Sequence, residues 1–307
     1  MTELRFDGRV AVISGAGRGL GRAYALLLAA RGCKVVVNDN GSATRGDEVV
    51  ANPADDVVTE ITAAGGKAVS CAASVATPEG AAAIIQAAID TWGRIDVLIH
   101  NAGNVRYGTI ADLSIDDFTA VTDVHFKGGF YLAKAAMPHM IAARYGRVVL
   151  TASCSGLYGS QTTVNYGMSK AGLMGLNNVI ALEGGEHGIR SNTIIPAAVT
   201  RMADGLDTSM YPPLEPELVA PMVAWLAHED CAVSGEHYIA GGGRMARAYT
   251  TETKGLFQPA WSLEDVAGKF AALRDPAGEH WTFPPYPSGM GDHLGQTFQW
   301  AHQELGK

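Results

Sequence analysis

The sequence predicts an α/β protein built around a doubly wound parallel sheet, and three observations carry that expectation. Short apolar runs alternate with longer amphipathic stretches from residue 9 onward, the pattern of strands whose crossovers are helices. A glycine-rich turn, Ser14-Gly15-Ala16-Gly17-Arg18-Gly19-Leu20-Gly21, joins the first apolar run to the first amphipathic one. The chain has 307 residues, 47% of them apolar and 18% charged, enough to fill one large core.

The run at 9–13 is apolar in succession after Arg9 and ends in Ser-Gly, as in a strand buried on both faces. Residues 21–31, rich in Ala and Leu and stopped by Gly32, read as a helix. The β-branched run at 34–38 is the second strand. A helix near 54–64, a strand near 68–72, a helix near 79–92 and a strand at 96–99 continue the alternation. Helical stretches around 116–143 lead to a strand at 146–151, a helix at 164–187, a strand at 190–195 and a helix at 216–228. Right-handed crossovers close such a chain into a Rossmann-like sheet.

Two segments break the rhythm. Residues 40–53 form a polar loop where a short connection is expected. Past residue 243 the strand alternation stops, and Trp261, Trp281 and Trp300 appear among prolines. The expected division is therefore a sheet domain over 1–243 and an extension over 244–307, packed on the core or on a partner subunit.

A net charge of -8 and a pI near 5.6 exclude the clustered basic face that nucleic acid requires. The four cysteines, Cys33, Cys71, Cys154 and Cys231, are scattered without metal spacing, so no metal site is expected. The polar N-terminus and the lack of a long apolar run fit a cytoplasmic protein with no membrane partner.

In the glycine turn, Gly15, Gly19 and Gly21 allow a tight bend, close approach to a pyrophosphate and close helix–strand packing. The helix that follows offers unpaired N–H groups and the positive end of its dipole. Asp39 lies 18 positions beyond Gly21, where a carboxylate binds the adenosine ribose diol and repels a 2′-phosphate. Arg18 pulls the other way, toward a 2′-phosphate. The reading favours NAD.

Tyr166 and Lys170 stand four residues apart in a helical stretch and so share one face. A neighbouring ammonium is expected to lower the phenol from its usual value near ~10 toward the range of a working general base. Ser153 follows the strand at 146–151, at the sheet end where such folds bind ligands. Its hydroxyl can hydrogen-bond a substrate oxygen as charge develops there. Cys154, with no histidine nearby in sequence, reads as an inert thiol rather than a nucleophile.

Gly15-x-x-x-Gly19-x-Gly21, His100-Asn101-Ala102-Gly103, Ser153 and Tyr166-x-x-x-Lys170 together resemble the short-chain dehydrogenase/reductase family, over about residues 6 to 243. The resemblance implies NAD(P)-dependent chemistry at a carbonyl or secondary alcohol in a homodimer or homotetramer acting on a small molecule. It implies that Ser153 polarises the substrate oxygen, Tyr166 exchanges its proton, and Lys170 supports tyrosine and cofactor. Leu20, Ser74, Val75, Asn101, Ala102 and Gly103 would line the cofactor groove, with Pro196 and Thr200 beside the nicotinamide. Ser74 replaces the family's usual acidic residue near the adenine, and His125 stands where most members carry an asparagine. That histidine, with Gly21-Arg22-Ala23-Tyr24, Ser155-Gly156-x-Tyr158-Gly159 and a C-terminal extension, is similar to the family's (3R)-hydroxyacyl-CoA dehydrogenase branch. The substrate this implies is a (3R)-hydroxyacyl-CoA, with hydroxysteroid oxidation, NADPH-dependent ketoacyl reduction and a non-enzymatic nucleotide-sensing scaffold as alternatives. Residues 197–216, which include Met202, Met210 and Tyr211, read as an apolar lid.

Overall fold

Successive residues of a strand face opposite sides of a sheet, so a strand covered on both sides must be apolar throughout. β1 (Val10–Ser14) meets that condition, with all five residues buried. The computed structural model describes residues 3–46, 52–199, 210 and 212–306. β1 lies inside an eight-stranded sheet with β2 (Lys34–Asn38), β3 (Lys67–Cys71), β4 (Val97–His100), β5 (Gly146–Thr151), β6 (Ile189–Ala197), β7 (Glu236–Gly241) and β8 (Arg244–Ala248). The order is β3-β2-β1-β4-β5-β6-β7-β8, parallel except for the antiparallel β7–β8 edge. The order reverses direction between β1 and β4, which opens a crevice at the carboxyl ends of those strands.

Ala11 and Ile13 join one core with Tyr24 and Leu28 of α1 (Gly19–Ala30), Val57 and Ile61 of α2 (Pro53–Ala63), and Val223 and Leu226 of α8 (Ala220–Ala227). Val10 and Val12 face the other core. There they meet Ile84 and Ile85 of α3 (Pro78–Trp92), Leu132 and Met140 of α5 (Gly128–Ala143), and Leu173 and Ile180 of α7 (Val164–Gly184). Each such side chain, fully buried, contributes roughly 1.5–3 kcal/mol of transfer free energy. This burial on both faces makes the strand ends a rigid platform.

The helical run expected over 116–143 is three pieces. α4 (Ile115–Thr122) and α5 are joined by a π-helical turn, Asp123–Lys127, that buries His125. A π turn inserts one residue into the helical ladder and re-aims the side chains beside it. The helix expected at 216–228 begins as a 3₁₀ turn, Pro216–Leu218, before α8. The short α6 (Cys154–Tyr158) was not anticipated, nor were β7 and β8. Near the sheet edge β7 needs no continuous apolar run, and only its Ala240 is fully buried.

Beyond β8 the chain forms β9 (Glu252–Thr253), α9 (Leu263–Leu273), β10 (His280–Trp281) and α10 (Met290–Glu304). α9 carries a complete capping box between Ser262 and Asp265. Trp281 packs edge-on against Trp300 with centroids 5.4 Å apart. The ring of Tyr286 abuts Gly185, where an added Cβ would lie 2.4 Å from it, and the Arg190 guanidinium stands 5.3 Å from its centre.

Candidate active site

The crevice floor is built by a hydroxyl at the end of β1. Ser14 Oγ accepts the main-chain N–H of Asn101 and of Ala102, each at 3.1 Å, and pairs with His100 Nδ1 at 2.9 Å. His100 Nε2 bonds the main-chain carbonyl of His125 at 2.9 Å, and a carbonyl can only accept. The proton therefore sits on Nε2, Nδ1 is bare, and Ser14 donates to it, so the hydroxyl uses its one donor and both lone pairs. Asn101 Nδ2 adds a bond to Gly15 O at 3.0 Å. Together these contacts tie the loop after β1 to the loop after β4.

Gly15 has φ +63°, and a Cβ on it would lie 2.6 Å from Ala102 Cα, so only glycine fits this close approach. Arg18, in extended conformation, precedes α1 and makes no side-chain cap bond. The N–H groups of the helix's first turn are left to face the crevice, as a pyrophosphate requires. A cleft of about 340 Å³ opens above and is lined by Gly15, Arg18, Gly19, Leu20, Asp39, Ser74, Val75, Asn101, Ala102 and Gly103, among others. Asp39 Oδ2 accepts Gly17 N at 3.1 Å and Oδ1 accepts Gly41 N at 2.9 Å, which fixes the carboxylate at the cleft wall. The long loop after β2 contributes Ser42, Ala43, Thr44 and Gly46 to the same wall. The residues present fit a dinucleotide.

Ser153 ends the extended run after β5 and caps α6, its Oγ accepting Ser155 N at 3.1 Å. The backbone turns helical there, so Cys154 opens α6 and is exposed. On α7, Lys170 is 3% exposed and its Nζ donates to Thr151 O at 2.5 Å. The same Nζ stands 5.4 Å from the centre of the Tyr166 ring. Tyr166 and Lys170 thus project together, and the Ser153 hydroxyl is near enough to the phenol to favour its ionised form.

The electrostatics differ from the sequence expectation. Burial raises the Tyr166 phenol above its usual value, and the nearby Ser153 hydroxyl offsets only part of that. Burial also pushes Lys170 down to about 7. The missing factor is desolvation: burial disfavours the phenolate directly, and it disfavours the neighbouring ammonium as well.

His125 is fully buried, its Nε2 within reach of both Asn104 O at 2.8 Å and Asn104 N at 3.1 Å, donating to the first when protonated or accepting from the second when bare. Its ring meets Tyr166 edge-on with centroids 5.1 Å apart. Burial, and then the nearby Lys170, hold it well below the usual histidine range, so it is neutral.

A family model described as short chain dehydrogenase matches residues 9–209. The chain belongs to the short-chain dehydrogenase family. A short-chain type dehydrogenase/reductase of Mycobacterium tuberculosis is 44% identical over 88% of this chain and 95% of its own length. Peroxisomal multifunctional enzyme type 2 of Drosophila melanogaster is 44% identical over 86% of this chain, which spans 44% of that protein. The solved structure of that full-length Drosophila enzyme superposes with a TM-score of 0.81 at 34% identity, covering 98% of this chain and 50% of the other. This short-chain dehydrogenase is thus an oxidoreductase with a Rossmann-like sheet.

Several residues named from sequence as cofactor contacts, Tyr166 and Lys170 among them, lie outside the cleft lining or out of view. Pro196 pairs with Ala240 at the carboxyl end of β6, apart from the cleft lining. Thr200, with Met202 and Tyr211 of the anticipated lid, falls outside the described residues. Gly21 lies beneath the cleft, where a Cβ would come 2.1 Å from Gly15 O. Ser74 Oγ is engaged by Ala76 N at 3.2 Å within its own loop. Sequence reasoning assigned no role to Ser14 or Asn104. Each carries a buried polar group beside a recognised motif, which is the signal that points to them. Among the described residues no helix is long and apolar enough to cross a membrane, and no group of three or more His, Cys, Asp or Glu could hold a metal.

Proposed function

We propose that this short-chain dehydrogenase interconverts a secondary alcohol and a ketone with NAD, and that its substrate is a (3R)-hydroxyacyl-CoA. The observation that carries the reading is the convergence of Ser153, Tyr166 and Lys170 at the carboxyl end of β5, next to the dinucleotide cleft. A bound nicotinamide would supply the redox partner for the carbinol carbon. Ser153 Oγ holds the substrate oxygen. Tyr166 takes the hydroxyl proton in oxidation and returns it in reduction, because it is the titratable group whose proton affinity the Ser153 hydroxyl influences. Lys170, anchored on Thr151 O, lies beside the ring of Tyr166 and supports the phenolate when the site is charged. His125 braces that ring edge-on as a neutral group.

Asp39 supports NAD. Its fixed carboxylate accepts a ribose diol and repels a 2′-phosphate, and like charges at ~4 Å cost roughly 4 kcal/mol at an effective dielectric of 20. One observation favours NADP as a second reading: Arg18 Nη1 is buried in the cleft wall without a hydrogen-bond partner. The acyl-CoA assignment rests on likeness to the multifunctional enzymes. Exposed Phe130 and Ile141 on α5 and Val179 and Leu182 on α7 support a homodimer or homotetramer. The expected boundary at 243 cuts the sheet before β8, so the extension in this reading is the segment past Ala248, an appendage that stabilises the catalytic domain.

The test follows reduced nicotinamide with NAD and NADP, using (3R)- and (3S)-hydroxyacyl-CoAs and a panel of hydroxysteroids. Turnover of the 3R epimers with NAD is expected. Turnover confined to the 3S epimers, or to steroids, would defeat the substrate assignment.

A further inference from the structure

The tyrosine at the head of α7 is fixed by its sequence neighbour. We infer that Asn165 is a positioning residue, which locks the first turn of α7 onto the loop after β4 and so sets the direction of the Tyr166 phenol. This inference rests on the proposed role of Tyr166.

Asn165 is 0% exposed, although an amide is rarely buried so completely without work for both of its ends. Its Oδ1 accepts the main-chain N–H of Tyr166 at 2.8 Å. The first N–H groups of a helix have no partner within it, and α7 has no side-chain cap from Thr163, so this bond fills that place from inside the turn. Its Nδ2 donates to two carbonyls at once, Arg106 O at 3.1 Å and Asp117 O at 3.2 Å. Its own carbonyl receives Ser169 Oγ at 2.7 Å, which ties the turn to the next one. One buried amide thereby joins three segments: the head of α7, the loop after β4 and the first turn of α4.

The Arg106 end gives the contact reach. Val105 N donates to Thr44 O at 3.1 Å and Arg106 Nε to Arg45 O at 3.0 Å, so residues 105–106 also hold the loop that walls the cofactor cleft. The Arg106 guanidinium bonds Asp117 Oδ1 at 2.7 Å, whose main-chain carbonyl Asn165 also takes. Asn104, one residue earlier, bonds His125, whose ring meets Tyr166 edge-on. The strut 104–106 therefore meets the cleft wall on one side and the base of Tyr166 on the other. Asn165 is its link to the tyrosine.

The test compares Asn165→Asp, Asn165→Ala and Tyr166→Phe in the full chain, with (3R)-hydroxyacyl-CoA and NAD as probes. Asn165→Asp keeps the acceptor for Tyr166 N but sets an anion against two carbonyls; Asn165→Ala removes all three bonds. In both, kcat is expected to fall at least about tenfold, with the KM for NAD within about twofold of the parent. The primary deuterium isotope effect on kcat should rise and the pH profile should shift, because a misdirected base slows the proton-coupled step. In Asn165→Ala, amide exchange in the 163–168 segment should accelerate about tenfold or more. Loss of active protein alone would lower kcat and leave isotope effect and pH profile unmoved, which overturns the inference. Parent-like kcat, isotope effect and amide exchange in folded Asn165→Ala overturn it as well. The role of Tyr166 fails separately, if Tyr166→Phe turns over like the parent; the amide-exchange result then still decides whether Asn165 holds the turn.

Discussion

His100 and His125 meet at one hydrogen bond, from Nε2 of the first to the main-chain carbonyl of the second at 2.9 Å. Both rings are buried, and burial holds both below the ordinary histidine range, His100 at about 4. Protonating His100 would place a proton on Nδ1, where Ser14 now donates, and so break the bond that aligns the glycine turn with the loop after β4.

The acid stability of the protein follows from that bond. His100 has a folded value near 4 against 6.5 when unfolded, so the unfolded state binds more protons between those pH values. Its contribution is fully present above pH 6.5 and is lost as the pH falls through 4, by about 3 kcal/mol in all. Urea unfolding at pH 7 and pH 5 should show the parent losing about 2 kcal/mol through this group. His100→Asn should lower stability at pH 7 and flatten the loss between the two pH values. An equally steep loss in the variant would remove His100 from the account.

Cofactor choice is expected to turn on Asp39. Asp39→Ser removes the carboxylate that bonds Gly17 N and Gly41 N and leaves Arg18 in the cleft. NAD binding should weaken at least about tenfold, roughly 1.4 kcal/mol, while NADP binding improves. Calorimetric titration of both nucleotides checks the reversal, and an unchanged preference would relocate the discriminating group.

Gly21→Ala should be severe. The new methyl group would come 2.1 Å from Gly15 O, a backbone atom that cannot step aside without moving the turn. Thermal denaturation should show a loss of about 1–3 kcal/mol together with weakened dinucleotide binding. Retention of both would mean that α1 can slide relative to β1.

For the extension, Tyr286→Ala is the informative change. It empties the contact with Gly185 and takes the ring from beneath the Arg190 guanidinium. A drop of about 2–4 kcal/mol in stability, without change in nucleotide affinity, is the expected outcome. Wild-type stability in the variant would show that the extension contributes nothing to the catalytic core through this contact.

The sheet was legible because β1, β2, β4 and β5 are buried on both faces, which forces consecutive apolar residues and a recognisable run. β7 and β8 were not. Near the edge, Glu236, His237, Arg244 and Arg247 meet solvent or pair with charge, so no apolar signal survives. Tyr166 and Lys170 could be placed on one face by spacing alone, but their proton affinities could not. Those depend on desolvation by residues distant in sequence, which is why the expected lowering of the phenol became a raising. Asn165 shows the same limit: nothing in its immediate neighbours announces that its amide reaches Arg106 and Asp117.

The most direct measurement of the central claim is NADH formation from a (3R)-hydroxyacyl-CoA across pH, for the parent and for Tyr166→Phe. Because burial raises the phenol, oxidation by the parent should climb toward alkaline pH as Tyr166 loses its proton, and the reverse reduction should decline. Tyr166→Phe should lose roughly 10²–10⁴-fold in kcat and the pH dependence with it, while still binding NAD. A Phe variant that turns over within a few-fold of the parent, with the same pH profile, would contradict the assignment of Tyr166 as the proton-transferring group.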